Sequence, residues 1–176
     1  MGFKEYVMQG IDILKLDSKA INKAAKDPDA TKMALLFIAI AGVASAIGAW
    51  NFVGIIFVPI ITVIMAFVSV GVLHLLAKLF GGSGSYMELF RPLGIAEIIM
   101  WITVIPFIGP ILGSIVGIWF MVAAVVIIRE VHKLSTGKAI MVVLIPVIVV
   151  MLLLVVGIII AGVAFFSMMG GNTFMA

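Results

Sequence analysis

Charged side chains divide the chain into alternating polar and apolar stretches. Every Asp, Glu, Lys and Arg lies in one of three segments: 4–32, 78–97 and 129–138. The intervening stretches contain none of these residues: 33–77, 98–128 and 139–176. An apolar helix needs about 20 residues to cross a hydrocarbon core of about 30 Å. The first two apolar stretches are long enough for a helical hairpin each and the third for one helix, which predicts an all-α membrane protein with five transmembrane helices.

The positions of the basic residues predict how this protein is oriented. A hairpin returns the chain to the side it left, so the three charged segments share one side, and they hold all eleven Lys and Arg residues. Because Lys and Arg are retained on the cytoplasmic side, we expect a multi-pass cell-membrane protein with its N-terminus in the cytoplasm and its C-terminus outside. The predicted parts are an interfacial or cytoplasmic segment, a five-helix domain and a short extracytoplasmic tail: 1–32, 33–166 and 167–176. No apolar h-region with a cleavage site precedes the first span, so no signal peptide is expected.

The N-terminal segment has the pattern of amphipathic helices. Apolar residues recur at helical spacing near its start: Phe3, Val7, Ile11 and Leu14. Asp17 or Ser18 can cap a second short helix, which Asp27-Pro28 would end. We interpret the segment as one or two amphipathic helices lying on the cytoplasmic leaflet. The alternative is a disordered tail with chance periodicity.

The third predicted span is short. A glycine-rich turn at 81–84 precedes Ser85-x-x-Glu88, the pattern of a capping box at a helix start. From Pro92 to Ile105 the helix would be only about 21 Å long against about 30 Å needed. Either the residues before Pro92 already enter the headgroups, or the hairpin turn after Ile105 stops inside the bilayer, covered by neighbouring helices.

Small residues predict where helices approach closely. Two sets repeat at every fourth position: Ala41, Ser45 and Ala49 in the first span, and Gly109, Gly113 and Gly117 at the start of the fourth. Such stripes let helix backbones come together in membranes. They are also compatible with self-association into a homo-oligomer.

Glu97 is the one carboxylate that helix geometry places inside the membrane. Ionisable groups there are costly unless paired or hydrated. The partners within reach from the same side are His74, Lys78, Arg91 and Arg129. Glu97 is interpreted as a structural ion pair or hydrogen bond that joins helices, with a binding site or an interfacial carboxylate of no special role as alternatives.

A second polar cluster lies where the fourth span ends, at Arg129, Glu130, His132 and Lys133. Cations at a helix C-terminus suit its dipole, so a capping and snorkelling cluster is the simpler interpretation. A partner-binding face is the functional alternative. The full set of candidate interaction or ion-pair residues is His74, Lys78, Glu88, Arg91, Glu97, Arg129, Glu130, His132, Lys133 and Lys138.

The sequence offers little support for catalysis or for a cofactor. Two histidines without any cysteine leave no metal-ligand set, and no Ser-His-Asp or paired-carboxylate pattern is present. The run 135–138 has Ser-Thr before Gly-Lys, the reverse of a phosphate loop. We therefore expect no enzyme activity, no metal and no cofactor. Nucleic acid is not an expected partner, because no basic stripe carries base-reading groups.

Three stretches together resemble the Ypt-interacting protein (Yip) family of five-helix membrane proteins, in its prokaryotic or archaeal form: 79–86, 91–94 and 129–139. Asp27-Pro28 resembles that family's edge before the first span, and the similarity covers roughly residues 10–165. In eukaryotes the resemblance implies association with Rab-type small GTPases and with other family members. This chain has a shorter N-terminal region and lacks the Asp-Leu-Tyr-Gly-Pro type motif, so a compact relative without Rab partners is expected.

The expected function is that of a non-enzymatic membrane scaffold or adaptor of the Yip type. Its cytoplasmic loops would bind a protein partner or lipid headgroups and help to organise or shape the membrane. The alternative is a small transporter or channel that uses Glu97, since intramembrane charges and broken helices mark substrate paths.

Overall fold

The computed structural model describes the backbone of residues 1–170 and the side chains of residues 1–167. Within these residues the chain is helical and contains no strand. The α-helices are α1 (Phe3–Leu14), α2 (Ser18–Lys26), α3 (Ala30–Gly48), α4 (Gly54–Leu79), α5 (Tyr86–Ala96), α6 (Gly109–His132) and α7 (Thr136–Gly170). A 3₁₀ helix, Glu97–Val104, continues α5.

The packing divides the chain into two compact units. The first is Met1–Val143 and the second begins at Leu144, so α7 starts in one unit and continues in the other. The predicted division into three parts stays a prediction. The predicted tail begins inside α7, which extends to Gly170, and the remainder of that tail lies outside the described residues.

The number of spans differs from the prediction. Among the described residues, four helices are long and apolar enough to cross a membrane: α3, α4, α6 and α7. The fifth predicted span is divided between α5 and the 3₁₀ helix, neither of which meets that length. The steeper rise of a 3₁₀ helix lengthens the segment by only about 4 Å. An all-helical membrane fold is therefore confirmed, whereas the count of five spanning helices is not.

Local sequence signals account for several helix ends. Ser85 and Glu88 form the predicted capping box, in which Glu88 Oε2 accepts from the Ser85 N–H at 2.8 Å and Ser85 Oγ accepts from the Glu88 N–H at 3.4 Å. Asp17 caps α2 by accepting from the Lys19 N–H at 2.7 Å. Each cap satisfies backbone donors that a helix start leaves without a partner.

The core of the first unit lies between α3, α5 and α6. Its largest buried side chains include Phe37 and Ile38 on α3, Phe90 on α5 and Ile127 on α6. Gly94 lets α5 approach α3, because a Cβ there would meet Ala34 at 2.6 Å. The N-terminal helices α1 and α2 pack on this core rather than standing apart from it.

The closest backbone approaches occur at glycines, partly as predicted. A Cβ on Gly48 or Gly109 would collide with the backbone of Thr103, and one on Gly113 would meet the Thr103 methyl group at 2.8 Å. The predicted glycine face of α6 is therefore used inside the chain. On α3, Ser45 is exposed, and the close contacts come from Gly48 and from Gly42, which lies against α4.

Candidate interaction surface and the Glu97 groove

Helix α1 presents three different faces. At 100° per residue, the buried face and the charged edge lie on opposite sides of the helix. The buried face consists of Tyr6, Gln9, Gly10 and Ile13. The charged edge consists of Lys4, Glu5, Asp12 and Lys15. A third set, here called the apolar edge, lies next to the buried face: Phe3, Val7, Ile11 and Leu14. Phe3 and Ile11 on this edge are 47% and 36% exposed.

The apolar edge is the stripe that the sequence predicted, but it is not the fully buried face: Val7 and Leu14 are half-buried beside the core, while Phe3 and Ile11 remain exposed. One or two helices were predicted in residues 1–32, and the structure has two. The closest approach of α1 to the fold is made by the second stripe, in which Gly10 lies close to the Ile95 carbonyl. Phe3 and Ile11 leave apolar surface exposed along this edge, as in helices that lie in a membrane interface.

Polar contacts fix α1 in position. The Tyr6 hydroxyl donates to Asp27 Oδ2 at 2.7 Å, and Gln9 Nε2 donates to the Ala20 carbonyl at 3.2 Å. Burial, together with the neighbouring Asp27 carboxylate, raises the pKa of Tyr6 to about 12. The same hydrogen bond lowers the pKa of Asp27. Sequence reasoning placed Asp27 only at a helix end and missed Tyr6, although Tyr6 begins a second stripe at helical spacing.

Helix α1 crosses the first unit well inside the ends of the long helices. Near its start, the Phe3 ring lies 5.6 Å from Phe37 on α3 and 6.4 Å from Trp101. At its other end, the Leu14 carbonyl accepts from the Trp119 indole N–H at 2.9 Å. These contacts place α1 beside the middle parts of α3 and α6 rather than at their termini.

Arg91 joins three helices. Its Nε donates to Thr31 Oγ1 at 3.0 Å and its Nη1 donates to the Ala25 carbonyl at 2.7 Å. Ala25 lies in the last turn of α2, where carbonyl groups lack helical partners and favour a cation. Arg91 therefore links α5 to the end of α2 and the start of α3.

The cluster at the end of α6 is also tied to α2. Arg129 and Glu130 form an ion pair at 2.9 Å, and Asn22 on α2 donates to Glu130 at 3.5 Å. Lys133 follows α6 in a left-handed conformation with an exposed side chain. Lys138 reaches back to the Phe80 carbonyl at 2.9 Å. The cluster thus caps and connects helices, while the Lys133 side chain makes no hydrogen bond with the described residues.

The two histidines of the chain lie side by side. The His74 and His132 rings are 5.1 Å apart, and His132 is only 1% exposed. Neither ring nitrogen of His132 has a hydrogen-bond partner among the described residues. Lys78 lies one turn after His74 and donates to the Ser83 carbonyl at 3.3 Å.

Hydrogen bonds in the capping box at the start of α5 lower the pKa of the Glu88 carboxyl group.

Glu97 lines a cavity of about 260 Å³ between α4, α5 and α6. Apart from the hydroxyls of Thr62 and Ser69, the lining is apolar, with Phe90, Leu93 and Phe120 among its members. Within residues 1–167, Glu97 makes no ion pair. The four residues predicted to reach Glu97 contact other groups. Arg91 bonds to Thr31 and Ala25, and Arg129 pairs with Glu130. Lys78 bonds to Ser83, and the His74 ring lies beside that of His132.

A family model described as the Yip1 domain matches residues 12–158. The chain belongs to the Yip1 domain family. This confirms the similarity seen in the loop segments, and with the apolar helices it makes the protein a multi-pass membrane protein. No curated protein and no solved structure matches the chain.

Most of the residues whose contacts are described above lie within the range that matches the Yip1 domain. It includes α2, Arg91, Glu97 and the Arg129–Lys138 loop, and it begins inside α1 at Asp12. Phe3 and Tyr6 therefore lie before the matched range, although they dock α1 against it. Among the described residues of this Yip1 domain protein, no three His, Cys, Asp or Glu side chains gather as a metal site.

Proposed function

We propose that this Yip1 domain protein is a non-enzymatic membrane scaffold or adaptor. In this proposal α2 and the loops around Ser85 and Lys133 face the cytoplasm and bind a protein partner or lipid headgroups. Helix α1 lies in the cytoplasmic leaflet and helps to shape the membrane. The supporting observation is the three-faced α1, which is docked to the helical core while Phe3 and Ile11 on its apolar edge stay partly exposed.

A partly exposed apolar edge beside a charged edge favours a position at the bilayer surface. Burying a Phe or Ile side chain contributes roughly 1.5–3 kcal/mol, so Phe3 and Ile11 favour insertion into the acyl region. The charged edge, which includes Lys4 and Lys15, then lies among the headgroups. A helix inserted in this way and fixed to a helical core adds volume to one leaflet.

Several lysines remain available for a partner. Lys19 and Lys23 on α2 and Lys133 after α6 have exposed side chains that make no side-chain hydrogen bond within residues 1–167. Near an anionic membrane surface each Lys contributes about 1 kcal/mol of attraction. These residues suit an anionic headgroup or an acidic surface on a cytoplasmic protein.

The membrane-shaping part can be tested in vesicles of phosphatidylcholine with and without phosphatidylserine. Reconstituted wild-type protein is expected to convert large vesicles into smaller or tubular ones, seen by electron microscopy. The variant Ile11→Gln on the apolar edge should weaken this effect while it keeps its thermal unfolding midpoint. The matched control, Lys4→Gln with Lys15→Gln on the charged edge, should retain it. Unchanged vesicles with the wild type, or equal activity of the apolar-edge variant, would contradict the proposal.

The adaptor part needs a defined partner. A photo-crosslinker at Lys133 in native membranes should capture one cytoplasmic protein reproducibly, and Lys19→Glu with Lys23→Glu should abolish the capture. If the same bands appear with a crosslinker on the lipid-facing residue Ile115, the Lys133 surface is not a specific binding site.

The cavity at Glu97 supports a second candidate, a small transporter or channel. Glu97 has no ion-pair or hydrogen-bond partner within residues 1–167 and lines the cavity together with the hydroxyl-bearing residues Thr62 and Ser69, which is a starting point for a solute or proton path. Glu97→Gln should then abolish flux in proteoliposomes, while Glu88→Gln, in which Gln can still complete the capping box, should leave it unchanged. Absence of flux in the wild type would reject this candidate and leave the scaffold proposal untouched.

A further inference from the structure

We propose that the groove between α1 and α2 binds the headgroup of an aminophospholipid, in which a phosphodiester is joined to a primary ammonium group. The groove has a volume of about 500 Å³, which is within the range of small-molecule sites. The inference rests on the proposed function, because that function places α1 and α2 against lipid headgroups. It adds which headgroup is bound and which residues bind it.

The groove exists because α1 and α2 form an antiparallel hairpin. Gln9 bonds to Ala20 and Tyr6 bonds to Asp27, so the later residue on α1 meets the earlier residue on the second helix. Leu16, in the left-handed conformation, lies in the turn between the two helices. The buried face of α1 points into the protein. Its charged edge and the adjoining side of α2 are left to form the walls of the groove.

The groove is lined by charged side chains of both signs. Three are basic and three are acidic: Lys4, Lys19, Lys23, Glu5, Asp12 and Asp17. A simple anion or a simple cation would meet groups of its own sign as well as opposite ones, and like charges brought together oppose binding. A lining with balanced charge therefore favours a ligand that carries a positive and a negative group.

The lysines are available for a phosphate. Lys4, Lys19 and Lys23 are exposed, and none of them forms an ion pair or a side-chain hydrogen bond with the described residues. Lys19 and Lys23 are four residues apart on α2, so they are neighbours on one face of that helix. Lysine binds phosphate oxygens as a point charge. We therefore assign the phosphodiester of the headgroup to the α2 side of the groove.

One of the three carboxylates remains available for a cation. Glu5 Oε2 accepts from a backbone N–H at the start of α1 at 2.8 Å, and Asp17 Oδ1 accepts from one at the start of α2 at 2.7 Å. Both are therefore used in helix caps. Asp12 has a single ion pair with Lys15 at 3.5 Å, and exposed pairs of this kind contribute little. Asp12 is the carboxylate that an ammonium group can use.

Gln9 supplies a second acceptor at the floor of the groove. Its Nε2 donates to the Ala20 carbonyl at 3.2 Å, and both residues line the groove, so the amide lies between the two helices. Gln9 is only 5% exposed, and its Oε1 has no hydrogen-bond partner within residues 1–167. A buried acceptor left without a partner is costly. Gln9 and Asp12 are three residues apart on α1, and a primary ammonium has enough N–H donors for both.

Apolar side chains at the rim favour a lipid over a free phosphate ester. Met1 and Met8 line the groove and are 48% and 51% exposed. On α1, Met8 lies one turn from Ile11 of the apolar edge. A headgroup in the groove would therefore have apolar surface beside it for the first part of its acyl chains.

The test compares three short-chain phospholipids that share the phosphodiester and differ in the terminal group: ethanolamine, choline and glycerol. Choline keeps the positive charge but has no N–H donor, whereas glycerol keeps donors but has no charge. Binding to the full chain in mild detergent is measured by isothermal titration calorimetry. The ethanolamine lipid should bind at least about tenfold more tightly than either of the others, because each lacks a hydrogen bond between charged groups. Equal affinities for the three lipids would overturn the inference.

Variants test the assigned residues. Lys19→Gln with Lys23→Gln, and separately Asp12→Asn, should each weaken binding of the ethanolamine lipid by at least about tenfold. The matched control, Lys26→Gln with Lys32→Gln, removes two exposed lysines that do not line the groove and should bind like the wild type. Unfolding midpoints equal to that of the wild type would show that the variants are folded. Wild-type affinity in either groove variant, or an equal loss in the control, would overturn the inference.

Glycerophosphoethanolamine, which has the same headgroup without acyl chains, distinguishes a lipid from a soluble ligand. Weaker binding than the short-chain ethanolamine lipid would support the lipid. Equal affinity would overturn the assignment to a lipid and identify a soluble phosphate ester of the same chemistry instead.

These measurements use no bilayer, so their outcome is separate from that of the vesicle assay. If vesicles are reshaped while the ethanolamine lipid shows no preferential binding, only this inference is wrong. If the lipid binds as expected while vesicles stay unchanged, the membrane-shaping proposal has failed and the binding site remains.

Discussion

Substitution of Arg91 by Lys tests whether the N-terminal helices are held by specific bonds or only by apolar packing. The guanidinium donates from two nitrogens, to Thr31 on α3 and to the Ala25 carbonyl on α2. Lysine retains the positive charge but presents it as a single point, so it cannot keep both bonds. The substitution therefore removes the geometry while it leaves the charge.

The size of the effect follows from the bond that is lost. A hydrogen bond to a charged group contributes about 1.5–3 kcal/mol. Arg91 is half-buried, and so the lower part of that range applies, about 1.5–2 kcal/mol for Arg91→Lys. For a chain of this length each kcal/mol shifts the unfolding midpoint by about 2–4 °C, which gives a decrease of about 3–8 °C.

The assay is thermal unfolding in mild detergent, followed by tryptophan fluorescence. The matched control is Arg129→Lys, because Arg129 pairs with its neighbour Glu130 in a partly exposed position. Such pairs contribute about 0–1 kcal/mol, so the control should move the midpoint by less than about 4 °C. A wild-type midpoint for Arg91→Lys, or an equal loss in Arg129→Lys, would refute this account of how α2, α3 and α5 are joined.

Three further predictions concern single contacts. Tyr6→Phe should cost about 1 kcal/mol at neutral pH. Because the pKa of Tyr6 is raised to about 12, its stabilisation is lost as pH rises from about 10 through 12, and Tyr6→Phe should lack this loss in unfolding midpoints. The lowered pKa of Asp27 has the opposite sign, so wild-type stability should fall below about pH 4 and Tyr6→Phe should fall less. Gly48→Ala should destabilise by about 1–3 kcal/mol through its collision with Thr103, whereas Gly157→Ala, with open space around it, should unfold like the wild type. Ser85→Ala should cost about 1 kcal/mol in the same assay by removing half of the capping box.

Signals that act within one or two helical turns were predictable. The Ser85 and Glu88 capping box and the start of α5 follow from four consecutive residues, because a cap needs only its own backbone. Asp17 was one of two candidates for the cap of α2, and the structure selects it. The helical pattern of residues 3–14 was also sufficient to identify α1.

The buried face of α1 was not predictable in the same way. The sequence carries two neighbouring stripes, one beginning at Phe3 and one at Tyr6, and either has helical spacing. Hydrophobic periodicity selected the Phe3 stripe because it is the more apolar. The structure buries the Tyr6 stripe instead, since Asp27, Ala20 and the close approach of Gly10 to Ile95 supply complementary partners.

The neighbours of Glu97 were likewise not predictable from the sequence alone. Helix geometry placed four residues within its reach, but reach along separate helices does not say which residue finds a better bond. Arg91 has a carbonyl and a hydroxyl at hydrogen-bonding distance and Arg129 has the adjacent Glu130. Both cations therefore have partners elsewhere, and Glu97 is left to line the cavity between α4 and α6.

The sequence by itself determined that this is an all-helical membrane protein of the Yip1 domain family. The cost of placing charge in lipid is local and adds residue by residue, so the spacing of charged segments is enough to reveal apolar helices. The tertiary structure decided which face of α1 is buried and which glycines meet Thr103. Those features depend on surfaces that come together from distant parts of the chain, which no local sequence pattern records.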